Sequence, residues 1–345
     1  MIPIQNIYYM LSYAFQVLNE QCYKNIATEQ FNNTGELMAA ILEKGIAIQI
    51  KRGLGKEYIL QTEALSSLQG KIDIAESIKT QSMLRKQLIC TYDEFSVNSI
   101  MNRIIKSTVE LLLRSNISKQ RKKNLRKLMV YFSEVDFIDL YTVNWNVQYN
   151  RNNQTYRMLI SICYLVVKGL LQTQSNGHTK LMDFLDEQRM CRLYEKFILE
   201  YYRREFKNQI TANASQIPWQ LDNEENSMLP VMQSDIMLQS GEKVLIIDAK
   251  YYEHSTQVQF DKHTLHSGNL YQIFTYVKNK EYELREKDHT VSGMLLYAKT
   301  DEEIYPNNVY QMSGNQITVR TLGLNLPFDE IAGQLNTIAK THFDL

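Results

Sequence analysis

The strongest constraint on the fold of this 345-residue chain is the stretch VLIIDAK at 244–250. Four apolar residues in a row, Val244 to Ile247, carry no polar alternation. A strand of that kind is stable only when both of its faces are covered, and the usual cover is a layer of helices on each side of a sheet. The surrounding pattern supplies them. Helical spacing predicts helices over 155–172, 184–206, 268–280 and 328–340, and strand patterns occur at SGMLLYA (292–298) and QITVR (316–320). The second half of the chain therefore reads as α/β, a mixed sheet flanked by helices.

The first 150 residues also mix helices and strands. Ile7, Met10, Leu11, Ala14, Phe15 and Leu18 fall at helical spacing within 5–20, and 35–50 repeats the pattern. RGLGKEY (52–58) marks a turn, EYILQTEAL and KIDIA read as short strands around Gly70, and LICTYDEF (88–95) as another. Asn98 or Ser99 is suited to cap a helix over 100–114. The strand-like YTVNWNV is followed by the polar RNNQ at 151–154, so the boundary is expected there, giving domains 1–150 and 151–345.

Charge narrows the function little, because 38 Lys and Arg balance 38 Asp and Glu. Any hold on nucleic acid has to come from a local patch or a partner. SKQRKKNLRK at 118–127 is one such patch, although a solvated helix face is the commoner meaning of a run like it. Cys22, Cys90, Cys163 and Cys191 lack ligand spacing and read as reduced, mostly buried thiols of a cytoplasmic protein. The amino terminus lacks the features of a secretory signal, and the apolar run at 158–171 is too short for a membrane span and contains Lys168. GLGK at 53–56 is not a phosphate-cradling loop, and GxSxG is absent. His254, His263 and His266 fit no zinc pattern and are expected on a surface loop.

The acids and the base near the buried strand carry the chemistry. LPVMQSDIMLQSGEK precedes it, so Asp235 lies on a strand that turns and returns as KVLIIDAK. A turn centred on Ser240–Gly241 pairs Gln239 with Glu242 and Asp235 with Ile246, which sets Asp235 diagonally opposite Asp248. Ile246, Asp248 and Lys250 then share one face. Two converging carboxylates repel unless a cation lies between them, and hard oxygen ligands suit Mg²⁺. Lys250 alongside can orient or help activate a water and stabilise charge on a phosphate. A structural ion pair is the plainer reading of D-x-K alone; three charges on one face beside a core favour a site. Glu195 in CRLYEKFILEYYRREF shares a helix face with Ile198, Leu199 and Tyr202, and is either a further metal or metal-water ligand or a surface glutamate. Gln272 in NLYQIFTYV, one turn from Tyr276, either holds Lys250, a water or a phosphate, or packs its helix.

The spacing SD–x12–DAK, with a Glu195 helix before it and a Gln272 helix after it, resembles the PD-(D/E)XK nuclease superfamily. A more specific resemblance runs along almost the whole chain. IPIQNIYYMLSYAF, KRGLGKEY, LQGKIDI, NRIIKSTVELL, LYEKFILEYYRREF, LPVMQSDIMLQSGEKVLIIDAKYY and NLYQIFTYV are similar, in order and spacing, to blocks of the McrC family. The resemblance implies the endonuclease subunit of a modification-dependent (5-methylcytosine) restriction system. Its amino-terminal domain would dock on a McrB-like AAA+ GTPase ring and stimulate GTP hydrolysis, and its carboxy-terminal domain would cut double-stranded, methylated DNA with Mg²⁺, Mn²⁺ being a substitute. It assigns Asp235 and Asp248 to the metal and Lys250 to the hydrolytic water, with Glu195 and Gln272 carried over less firmly. Pairing of two such subunits is one way to break both strands. Ser234 stands where the superfamily has proline, a position that shapes the strand and supplies no ligand. The alternatives are a stand-alone repair or recombination nuclease of that superfamily and a non-catalytic ring-docking activator with a decayed site.

Overall fold

The computed structural model describes the chain except residues 1, 20–22, 24–25, 27–28, 30, 32, 151–152, 154, 176–186, 223–227, 253–256, 260–261 and 300–304. The elements up to the middle of the chain are α1 (Ile4–Ala14), α2 (Thr34–Arg52), β1 (Glu57–Leu65), β2 (Lys71–Asp73), α3 (Ile74–Lys79), β3 (Leu88–Ser96), α4 (Ile100–Arg114), α5 (Lys119–Met129) and α6 (Tyr156–Ser175). There follow α7 (Glu187–Glu205), β4 (Thr211–Asn213), β5 (Gln216–Ile217), β6 (Met232–Gln233), β7 (Ile236–Ser240) and β8 (Lys243–Lys250). The last are β9 (Gln257–Gln259), β10 (Lys262–Thr264), α8 (Ser267–Glu283), β11 (Thr290–Ala298), β12 (Asn308–Met312), β13 (Asn315–Leu322) and α9 (Phe328–Phe343).

These elements form two compact units, Met1–Ala27 with Leu185–Leu345, and Thr28–Phe184. The division differs from the expected 1–150 and 151–345 at both ends, for reasons of packing. Helix α1 lies along α7, where the rings of Tyr13, Phe197, Tyr201 and Phe328 pack together, mostly edge-on or tilted, with centroids 5.2–6.2 Å apart. The buried Asn6 side chain donates to Leu324 O and Leu326 O at 2.7 and 2.8 Å, tying the chain's first helix to residues more than 300 positions away. Helix α6 turns its buried residues to α2 and α4 instead, and Tyr156 at its start donates to Asn102 Oδ1 (2.8 Å) and accepts from Gly55 N (2.7 Å).

In the unit spanning Thr28–Phe184, β1, β3 and β2 make an antiparallel sheet with β3 central. Ser99 caps α4, its hydroxyl accepting from Asn102 N. The YTVNWNV stretch forms no strand; no neighbouring edge pairs with it, and alternation without a partner does not make a strand. The other unit holds a six-stranded sheet in the order β12-β13-β11-β8-β7-β4. Strands β8, β11 and β13 are parallel, and β7, β4 and β12 run antiparallel to their neighbours. Strand β8 is thus central, and Leu245 and Ile247 are as fully buried as Val244 and Ile246, as a strand covered on both faces requires. Helix α8 packs on the face bearing Val244 and Ile246 through Ile273 and Val277. A Cβ at Gly293 of β11 would stand 2.8–2.9 Å from Ile273, Ile317 and Val277 side chains, so glycine permits this close approach of helix to sheet.

The short strands β4, β5, β6 and β12 were not legible as periodic runs, being two to five residues long. His263 lies on the backbone of β10 in a small hairpin with β9 rather than on a loop, and His254 lies outside the described residues. No helix among the described residues is long and apolar enough to cross a membrane.

Candidate active site

The site is built where the β7–β8 hairpin meets α7 and α8. The ladder pairs Ser240 with Lys243 and Ile236 with Ile247, so the two-residue turn is Gly241–Glu242, with Gly241 at φ +55°. The turn is one residue later than the sequence spacing suggested. Continued one step past Ile236, the register sets Asp235 directly opposite Asp248, where backbones stand about 4.5–5.5 Å apart. The face assignment survives, because moving a hairpin turn by one residue shifts the pairing by two, and side chains alternate with a period of two.

Each acid is held differently. Asp235 Oδ2 accepts from Ala249 N at 3.0 Å, so a side-chain oxygen extends the ladder beyond its last backbone pair. Just before it, Ser234 is buried and bonded to Ser215, its N–H donating to Ser215 O at 3.0 Å, a bond proline cannot make. Asp248 is only 1% exposed on the central strand. Lys250 Nζ stands 2.8 Å from Asp248 Oδ2 as an ion contact, yet neither Asp248 oxygen has a partner in hydrogen-bond geometry. Lys250 offsets one negative charge, and the second of the two facing carboxylates is costly unless a further cation shares the site.

Burial pushes the Asp248 carboxyl up to about 7, against the pull of Lys250, and Asp235 adds to the rise. Asp235 is raised too, chiefly by burial, against the Ala249 N–H and the Lys250 charge. Burial works against the charge of Lys250, but Asp248 beside it prevails and holds the ammonium above the usual lysine range. Lys250 therefore stays protonated and acts as a fixed positive charge. Its other anchor is Gln272 Oε1 at 3.2 Å, and Gln272 is itself oriented by donating Nε2 to Tyr276 OH at 2.9 Å, one turn along α8. Of the two sequence readings of Gln272, the geometry selects a holder of Lys250.

Glu195 comes to the same neighbourhood from α7. Its carboxyl is raised by burial and then by Asp235, while Cys191, Lys250 and Arg192 draw it down. Cys191 Sγ, one turn earlier, donates to Glu195 Oε1 at 3.0 Å and lies 3.9 Å from Ala249 O. Sequence reasoning passed over Cys191 as a bystander thiol; its i, i+4 spacing from Glu195 was the available signal. Among the described residues no three His, Cys, Asp or Glu side chains converge closely enough to hold an ion together. The structure thus brings Asp235, Asp248, Lys250 and Gln272 together and leaves Glu195 beside them. The two aspartates fit a hard cation such as Mg²⁺, which binds through one or two carboxylates and keeps several waters.

Fold and site together define an α/β protein with an acid–acid–lysine centre at the end of a buried central strand. The family model of the McrBC 5-methylcytosine restriction system component matches residues 5–298, and the chain belongs to that family. The type IV methyl-directed restriction enzyme EcoKMcrBC of Escherichia coli K12 is 30% identical over 329 residues, covering 94% of this chain and 93% of the relative. Two solved assemblies from Thermococcus gammatolerans are more distant. McrB AAA+ hexamers with bound McrC match at 18% identity over 97% of this chain and 76% of theirs, with a TM-score of 0.48. The McrBC complex matches at 20% identity over 59% of each chain, with a TM-score of 0.41.

Proposed function

We propose that this chain is the DNA-cutting subunit of a modification-dependent restriction system, hydrolysing phosphodiesters with Mg²⁺ at Asp235, Asp248 and Lys250. The observation that carries the reading is the buried Asp248 carboxylate facing Asp235, with Lys250 as its one ion contact among the described residues. Asp235 and Asp248 would hold the cation, which supplies a Lewis acid for the phosphate and lowers the cost of deprotonating water. Lys250 presents its ammonium to the scissile phosphate, orienting it and neutralising charge that grows in the transition state. Gln272 keeps that ammonium aimed. Glu195, held by Cys191, stands as an acceptor for a water at the edge of the site.

Family membership supports the rest of the reading. The E. coli relative is named a methyl-directed restriction enzyme, and one of the Thermococcus assemblies is named as McrB AAA+ hexamers with bound McrC. We infer the corresponding division of labour here, with a GTP-hydrolysing AAA+ ring as partner and 5-methylcytosine-containing duplex DNA as substrate.

The test is plasmid cleavage in Mg²⁺ with methylated and unmethylated DNA, using the chain alone and with its cognate AAA+ GTPase and GTP. Cutting of methylated plasmid only when partner and GTP are present is the expected result. Cutting of both plasmids by the chain alone would instead favour a stand-alone nuclease. Gln272→Ala is expected to slow single-turnover cleavage about tenfold, the loss of roughly 1.4 kcal/mol of positioning, with DNA binding unchanged. An unaltered rate would remove Gln272 from the site.

A further inference from the structure

Helix α5 carries six cations in eleven residues, KQRKKNLRKLM, and no acid, in a chain whose charges otherwise balance to zero. The structure separates five of them into two groups, the sixth, Lys122, being half-buried. Arg121 turns inward, only 14% exposed, with NH1 2.9 Å from Glu43 and NH2 2.5 Å from Glu29, and Asn124 Nδ2 donates to Glu43 at 2.9 Å. Leu125 is fully buried on the same side. These contacts fix the rotation of the helix about its axis. Lys119, Lys123, Arg126 and Lys127 consequently stand exposed along the opposite side, at the i, i+4, i+7, i+8 positions of one stripe. Among the described residues these four make no ion pair, whereas the exposed Lys79 and Arg114 are matched to Glu76 and Glu110 one turn away on their helices.

The arrangement costs the helix something. Lys119 lies in its first turn, where the partial positive charge of the amino-terminal end disfavours cations, whereas Arg126 and Lys127 in the last turn are favoured by the opposite end. Lysines one turn apart repel each other as well. A rigid, unpaired cationic stripe fits a polyanion with regularly repeated charges better than it fits water.

We propose that the exposed stripe of α5 is a sequence-independent contact for the phosphate backbone of duplex DNA, on the Thr28–Phe184 unit and separate from the residues of the cutting site. That the polyanion is DNA rests on the function proposed above. The contact gives this unit a hold on the duplex of its own, independent of base identity, as backbone contacts are.

The experiment is fluorescence anisotropy of a labelled unmethylated duplex with the full chain in EDTA, so that no cutting occurs, from 50 to 300 mM KCl. Each phosphate contact contributes about 0.9 to the slope of log affinity against log salt. The variant Lys119→Gln/Lys123→Gln/Arg126→Gln/Lys127→Gln is expected to lose tenfold or more in affinity at the lowest salt and about 3.6 in slope when all four contact phosphates. Its melting temperature should match the parent, since Arg121 and Leu125 are untouched. If that variant folds poorly, Lys123→Glu/Lys127→Glu provides the same readout with two changes. Equal affinity and slope in variant and parent would overturn the proposal, as would a parent chain that binds heparin but no duplex. Lys250→Ala should lose cleavage and give up at most its own phosphate contact, about 0.9 in slope. Loss of cutting there with the rest of the slope retained therefore leaves the α5 contact standing, and an unchanged slope in the glutamine variant leaves the nuclease standing.

Discussion

Replacing Lys250 by alanine is expected to lower DNA cleavage by about a thousandfold, close to 4 kcal/mol of transition-state stabilisation. The size follows from the placement of the ammonium. It is largely buried, 14% exposed, so its charge acts where water screens poorly. It is fixed between Asp248 and Gln272, so little reorganisation is needed as charge develops. Lys250→Arg should recover little, because a planar fork cannot occupy a point-charge position between those two partners. On the partnership proposed above, GTP hydrolysis by the ring should persist in both variants, because Lys250 is largely buried beside Asp248. Single-turnover cleavage and GTPase rates measured on the same preparations check this. A Lys250→Ala chain that cuts at the parent rate would refute the site.

The second large effect runs in the direction of stability. In the metal-free chain, Asp248→Asn is expected to raise the melting temperature at pH 8 by several degrees while abolishing cleavage. The Asp248 carboxyl rises from its ordinary 3.8 to about 7 in the folded protein. A carboxyl raised on folding favours the native state in full below about pH 4, and that contribution is lost as pH rises toward 7. Above pH 7 the buried charge remains as a cost. At 1.36 kcal/mol for each pH unit, its ceiling is about 4 kcal/mol. Asparagine keeps the shape without the charge. The gain should therefore be present at pH 8, shrink through pH 6 and vanish near pH 4. Mg²⁺ should stabilise the parent and not the variant, since a ligand bound only by the native state raises its stability. Thermal melts at three pH values, with and without Mg²⁺, check both signs. A variant less stable than the parent at pH 8 would mean that the ion contact with Lys250 outweighs the burial of Asp248.

Much of this site was legible in the sequence, for an identifiable reason. Side-chain alternation in a strand depends only on parity, so Asp248 and Lys250 fell on one face and Asp235 joined them even though the turn was placed at Ser240–Gly241 instead of Gly241–Glu242. Glu195 and Gln272 were drawn to the same region by helix position, but what they touch depends on packing. Only the fold reveals that Gln272 grips Lys250 and that Cys191 holds Glu195. The boundary expected at 150 differs from the division into compact units because local composition says nothing about long-range contacts. Asn6 bonds to carbonyls at 324 and 326, and α6 packs backward on α2 and α4. The basic run at 118–127 was ambiguous for a similar reason, since sequence alone does not distinguish the one inward arginine from the four outward cations.

The central claim is that Asp235 and Asp248 together form one cation site. Its most direct measurement is calorimetric titration of Mn²⁺ and Mg²⁺ into the parent chain and into Asp235→Asn and Asp248→Asn at pH 8. One metal-binding event in the parent, lost or weakened at least tenfold in each variant, is the predicted result. Identical binding in all three chains, or none in the parent even with DNA present, would contradict it.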